Sequence, residues 1–192
     1  MNWHGPKSQI VDCGKHLYNK KLVTGYDGNI SFKKEDGTYL VTKTGICKKF
    51  IQESDIINVN KDGTIISGPG KCTTEFSTSL TFMDREYLLC KNIVPEVTSQ
   101  IGPIHTVPYL TPGSEELATA VQEVLVYNTD CNFIMLKQHG IIGIGTNLIQ
   151  ICMHIEKIEY LSEIIFNTNF APRELTELEV KDLKKYKYPT LK

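Results

Sequence analysis

The sequence predicts an α/β fold, a single three-layer domain whose mostly antiparallel central β-sheet is flanked by helices. Three observations carry this. Short apolar segments broken by Asp-Gly turns fill residues 29–66, apolar positions recur at helical spacing at the start of the chain, and two further helical stretches frame a pair of apolar runs hinged on His139-Gly140. With 192 residues and 41% hydrophobic content, the chain is long enough to bury one substantial core. One domain over 1–192 is expected, with a C-terminal helical tail at 171–192.

Each element follows from its local pattern. Ile10, Val11, Leu17, Tyr18 and Leu22 recur at helical spacing, predicting an amphipathic helix over about the first twenty residues. Residues 29–32 and 38–42 flank Glu35-Asp36-Gly37, and residues 56–60 and 64–66 flank Lys61-Asp62-Gly63. Both are hairpin signals, because Asp-Gly tolerates the positive φ of a tight turn. Residues after Glu75 read as helical to about Leu89. Pro112-Gly113-Ser114-Glu115-Glu116 reads as a helix start, a capping hydroxyl followed by carboxylates at the positive end of the dipole. Leu117, Ala120, Val121, Val124 and Leu125 continue that helix. The strand pair around His139 comes next, then a long helix from Asn147 to about Phe166 with Leu148, Ile151, Ile155, Ile158 and Ile165 on one face. Ala171-Pro172 leads into a charged final helix over 174–185.

Composition excludes some classes of function. Twenty-one basic and 22 acidic residues are scattered along the chain, giving a net charge of −1 and no basic stripe for nucleic acid. The run Lys184-Lys185-Tyr186-Lys187 reads as a solvated helix end. Cys13, Cys47, Cys72, Cys90, Cys131 and Cys152 are widely spaced and form no metal-ligand pair. No N-terminal stretch resembles a signal peptide, and no apolar run approaches the ~20 residues of a membrane span. Reduced, buried thiols in a cytoplasmic protein are the expectation, with no membrane association.

Several segments have the chemistry of an anion site. Thr24-Gly25-Tyr26-Asp27-Gly28-Asn29-Ile30-Ser31 is a glycine-rich link from helix to strand. Its N–H groups suit a phosphate cradle, with Asn29 adding a side-chain donor, and they equally suit a plain turn into a hairpin. Thr42-Lys43-Thr44-Gly45 again joins a hydroxyl to glycine at a strand end. Thr73-Thr74-Glu75 follows Gly68-Pro69-Gly70 and opens the helix expected there, where hydroxyls and free N–H groups form an anion site. Glu75 in that first turn also has the simpler role of a carboxylate favouring the helix dipole.

The succession Gly-Asn-Ile-Ser, Thr-Gly, Thr-Thr-Glu, Pro-Gly-Ser-Glu-Glu-Leu and Gln-His-Gly resembles the class II sugar-phosphate aldolase family, which includes L-fuculose-phosphate aldolase and L-ribulose-5-phosphate 4-epimerase. The resemblance spans residues 10–85 and 93–166. It implies a phosphate pocket of Gly28, Asn29, Thr44, Gly45, Thr73 and Thr74, an acid/base carboxylate at Glu75, and a zinc ligand at His139, one of the family's three histidines. It further implies retro-aldol cleavage of a phosphorylated sugar or hydroxyketone through a zinc-stabilised enediolate. Tyr186 matches a C-terminal tyrosine that reaches a neighbouring subunit's site, which implies a homo-oligomer of the cyclic tetramer type.

The departures are equally local. Between the helix bearing Phe82 and Arg85 and the segment Ile93-Val94-Pro95, the family has a strand with His-x-His and a further helix. Here only Glu86-Tyr87-Leu88-Leu89-Cys90-Lys91-Asn92 bridges the interval. Ser79 stands where a histidine is common, Ser99 falls about where fuculose-phosphate aldolases have a catalytic tyrosine, and Pro112 replaces an aromatic. His105, His154, His16 and His4 read as structural. His139 therefore lacks the two partners that a three-ligand catalytic zinc takes. Two functions are expected from this: a zinc-dependent aldolase whose site is completed by other ligands, or an inactive homologue that binds phosphorylated ligands or serves assembly. Loss of a strand also implies an exposed sheet edge able to pair with another chain.

Overall fold

The computed structural model describes residues 5–72, 92–183 and 185, gathered into two compact units, Met1–Leu80 and Thr81–Lys192. Each is described by itself.

The first unit begins with helix α1 (Pro6–Asn19), which has a proline in its first turn. Proline lacks the N–H that the first turn leaves without a partner. Its buried face is Ile10, Val11, Cys13, Gly14 and Leu17. The helix stops in a Schellman arrangement: Lys21 takes φ 62°, its N–H reaches the Tyr18 carbonyl, and Leu22 N–H reaches the Leu17 carbonyl at 2.9 Å. Leu22 is thus buried beyond the helix and not on it. Four antiparallel strands follow in sequential order: β1 (Ser31–Lys33), β2 (Tyr39–Thr42), β3 (Ile56–Val59) and β4 (Ile65–Ser67). Both expected hairpins form. Asp36 accepts from the Thr38 N–H and hydroxyl in the first turn, and Asn60 Oδ1 accepts from the N–H groups of Asp62 and Thr64 in the second. Val41, Ile57 and Val59 form the core under the sheet, and α1 packs on β1 and β2.

The second unit holds α2 (Pro95–Gln100), β5 (Ile104–Val107), α3 (Glu115–Tyr127), β6 (Phe133–Leu136), β7 (Gly140–Gly143), α4 (Leu148–Asn167) and α5 (Glu177–Leu183). Ser114 caps α3 by accepting from Leu117 N–H, as the sequence predicts, and Asn147 caps α4 by accepting from Ile149 and Gln150. A Thr176/Glu179 capping box opens α5, with Glu179 N–H donating to the Thr176 hydroxyl and Thr176 N–H to the Glu179 carboxylate. β6 is buried at all four positions, between β5 and β7. The pair β5–β6 is parallel, joined by α3, and β6–β7 is an antiparallel hairpin. Short α2 and β5 were not expected from the sequence, and β5 makes this sheet mixed; its parallel pairing with β6 needs a long crossover, which α3 supplies. Val107, Leu117, Cys131, Ile134 and Leu136 form the core on the α3 side. The helix expected between Glu75 and Leu89 lies outside the described residues.

Gly143 permits the close approach of α4. A Cβ there would stand 2.6 Å from Ile151 Cγ2 and 3.0 Å from Phe133 Cε1. Gly143→Ala is expected to destabilise the protein by about 1–3 kcal/mol through overpacking, read as a lower denaturant midpoint at unchanged slope.

Candidate functional site

In the first unit, two loops emerge side by side from one end of the β1/β2 ladder. Ser31 pairs with Val41, and the same register continues one step: Thr42 N–H donates to the Ile30 carbonyl at 3.0 Å, and Ile30 N–H donates to the Thr42 hydroxyl at 3.2 Å. Gly28 (φ 77°) and Gly45 (φ 75°) turn the chain away at this level, in the left-handed region open to glycine. Gly28 and Asn29 thus directly precede this rung, and Thr44 and Gly45 follow it by two and three residues.

A third segment joins them. Thr44 N–H donates to the Lys71 carbonyl at 3.0 Å, and Lys43 forms a bridge with Cys72. Thr44 thus offers its hydroxyl, since its N–H is engaged. The chain reaches Cys72 one residue ahead of Thr73; Thr73, Thr74, Glu75 and Tyr186 lie outside the described residues. Lys43 is held from the other side, with Nζ 2.6 Å from Asp55 Oδ1 and its N–H on the Asp55 carbonyl. Burial alone raises the Asp55 pKa, but the Lys43 ammonium and the Gln52 N–H more than offset this and hold the carboxyl below its ordinary value. Sequence reasoning missed this pair, whose members lie twelve residues apart with no motif linking them.

In the second unit, His139 ends the tight turn from β6 into β7, its N–H donating to the Leu136 carbonyl at 3.1 Å. The residue is half-buried, with Nδ1 inside the protein. Gln138 just before it takes φ 54°, a left-handed conformation that is uncommon outside glycine, asparagine and aspartate. His105 lies within β5 opposite Ile134, half-buried. His154 stacks on Phe133 with ring centroids 5.9 Å apart. Among the described residues, no three His, Cys, Asp or Glu side chains gather to hold a metal ion. The donors among the described residues do not fit a three-ligand zinc.

The model of the class II aldolase and adducin N-terminal domain matches residues 8–85 and 72–166. The chain belongs to the class II aldolase family. An L-fuculose phosphate aldolase from Methanocaldococcus jannaschii is 30% identical, with 80% of this chain and 91% of that protein covered. A 5-deoxy-D-ribulose 1-phosphate aldolase from Bacillus thuringiensis is 28% identical over 203 aligned positions, with 93% of each covered. That alignment is longer than this chain's 192 residues, so the relative carries residues that this chain lacks within the shared span. The crystal structure of YgbL from Klebsiella pneumoniae is similar at TM-score 0.79 and 27% identity, covering 92% of this chain and 96% of that one. The family match also comes as two segments overlapping at residues 72–85, just ahead of the short interval 86–92.

Two outcomes follow from the site geometry. Thr42 is fully buried, and Thr42→Val would leave the Ile30 N–H without its acceptor. A loss of about 1–3 kcal/mol is expected, with Thr42→Ser close to wild type in chemical denaturation. Burial first, and the Lys157 charge second, hold the His154 pKa below its ordinary 6.5. The unfolded chain then takes up the proton first, so the His154 contribution is intact above pH ~6.5 and is lost as pH falls toward the lower folded pKa. His154→Phe is expected to flatten that part of a stability–pH curve measured by urea denaturation.

Proposed function

We propose that this class II aldolase family member binds a phosphorylated sugar or hydroxyketone, with Gly28, Asn29, Thr44 and Gly45, joined by Thr73 and Thr74, as the phosphate pocket. The observation that supports this is the Ile30–Thr42 rung at the end of the β1/β2 ladder, from which both glycine loops leave. Polar backbone and hydroxyl groups converging at a strand end suit an oxyanion. The sugar-phosphate names of the two aldolase relatives, each covered over more than nine-tenths of its length, support the same substrate class. One family model matching both segments supports a single domain over 1–192.

The reaction we assign is retro-aldol cleavage of the carbon–carbon bond beside the substrate carbonyl, with Glu75 as acid/base. Such a base takes the proton from the hydroxyl at the cleaved carbon, which becomes an aldehyde, and returns a proton to the enediolate fragment. His139, presented on a tight turn, is the donor this chain offers toward a carbonyl or a metal, and Tyr186 is proposed to complete a neighbouring subunit's site in a cytoplasmic homo-oligomer. A second reading is favoured by one observation: the described residues offer no three-ligand metal site. In that reading the pocket binds phosphorylated ligands without turnover, because its donors are backbone and hydroxyl groups that need no metal.

Elemental mass spectrometry of tag-free protein, paired with an aldol-cleavage assay on L-fuculose 1-phosphate and 5-deoxy-D-ribulose 1-phosphate, separates the two. Near-stoichiometric zinc that disappears in His139→Ala, with turnover lost at least 100-fold, is expected of the lyase. Metal-free wild-type protein that binds these phosphates calorimetrically without cleaving them establishes the second reading. Absence of phosphate binding sinks both.

A further inference from the structure

Lys48 is the one lysine in the buried core of the described residues, 2% exposed. Its stem lies against α1 where Gly14 leaves room: a Cβ on Gly14 would stand 3.5 Å from Lys48 Cδ and 3.4 Å from Ile51 Cγ2. Its Nζ donates to the Ile46 carbonyl at 3.1 Å, the peptide directly after Gly45. Asp27, directly before Gly28, lies close enough for its charge to act on the ammonium. An ammonium has three donors, and a buried one needs opposite charge as well as hydrogen bonds. Asp27 is on an exposed loop and accepts from the Thr24 hydroxyl at 3.0 Å. Burial pulls the Lys48 pKa down, while the charges of Cys47 and Asp27 oppose that fall.

Ile46 and Asp27 belong to the two loops that leave the Ile30–Thr42 rung. Among the described residues of this pocket, Gly28, Asn29, Thr44 and Gly45 are all neutral. A phosphate dianion bound by neutral donors alone lacks a countercharge. We propose that Lys48 is the cation of the phosphate pocket, a positioning residue that sits behind the Gly45–Ile46 turn, is held there by its bond to the Ile46 carbonyl, and supplies positive potential to a bound phosphoryl group. This rests on the phosphate reading above and adds to it the charge selectivity of the site: a dianionic phosphate ester is preferred over an uncharged sugar of the same shape.

The test is titration calorimetry with inorganic phosphate and with L-fuculose 1-phosphate, beside thermal unfolding, on wild type, Lys48→Met and Asp27→Asn. Replacing a buried charge by an apolar side chain of similar shape is often neutral or stabilising. Lys48→Met is therefore expected to keep or raise the melting temperature while weakening phosphate binding roughly tenfold or more, as loss of a nearby unit charge implies. A structural tether would instead lower stability and leave the phosphate affinity of the folded fraction unchanged, which overturns the proposal. Asp27→Asn removes the competing carboxylate at an exposed position and is expected to tighten phosphate binding several-fold. If Lys48→Met does not fold, unchanged or weaker binding by Asp27→Asn overturns the proposal on its own. Wild-type protein that binds neither phosphate overturns the phosphate reading itself, whereas wild-type binding that Lys48→Met retains in full overturns only the role of Lys48.

Discussion

The reciprocal pair of hydrogen bonds between Thr42 and Ile30 fixes the first unit. It adds a rung to the β1/β2 ladder in which a side-chain hydroxyl takes the place of a carbonyl acceptor. The threonine is fully buried, so water cannot stand in for either partner. Both glycine loops leave the sheet from that rung. The Lys43–Asp55 pair and the Thr44–Lys71 hydrogen bond then hold the far side of the second loop and draw the 68–72 segment against it. The loops thus leave a sheet whose core includes Val41, Ile57 and Val59 on one face.

The second unit is organised by close packing around β6. Every side chain of that strand is buried, and Gly143 at the end of its hairpin partner lets Ile151 of α4 lie almost against the backbone. A hairpin so confined leaves little freedom at its turn, and Gln138 takes up the left-handed conformation there. Strain beside a candidate functional residue is a recurring arrangement, since a rigid surround is what maintains it.

Charge distinguishes the two units. The anion-type loops present neutral donors, and the cations near them, Lys43 and Lys48, are respectively paired with Asp55 and buried beneath the turn. A cation kept from solvent acts over a longer range than one on the surface, because less water screens it. An aldolase-type enediolate concentrates negative charge at the substrate carbonyl, and among the described residues only His139 stands as an expected donor for that end. Phosphate recognition and carbon–carbon chemistry are thus supported to different degrees by the same chain.

Local signals in the sequence determined much of this. The Asp-Gly hairpins, the Ser114 cap, the span of α4 and the His139 turn each depend on residues within a few positions of one another and stand where the pattern puts them. The buried face of α4, by contrast, shares Ile155, Ile158 and Ile165 with the expected one but takes Ile149, Cys152 and Leu161 in place of Leu148 and Ile151. The order of the Gly-Asn-Ile-Ser, Thr-Gly and Gln-His-Gly motifs likewise placed the chain in its family. The tertiary structure alone decided what depends on distant partners. Leu22 continues the α1 period in sequence yet is buried past a Schellman stop, because Lys21 accepts a left-handed φ without being glycine. β5 is too short to announce itself and exists through parallel pairing with β6, 26 or more residues away in sequence and across a helix. Lys48 reads as one half of an ordinary surface Lys-Lys pair until α1 folds over it at Gly14. Side-chain period and turn chemistry are short-range and are written in the chain, whereas burial of a charge and the pairing of a short strand are properties of the packed molecule.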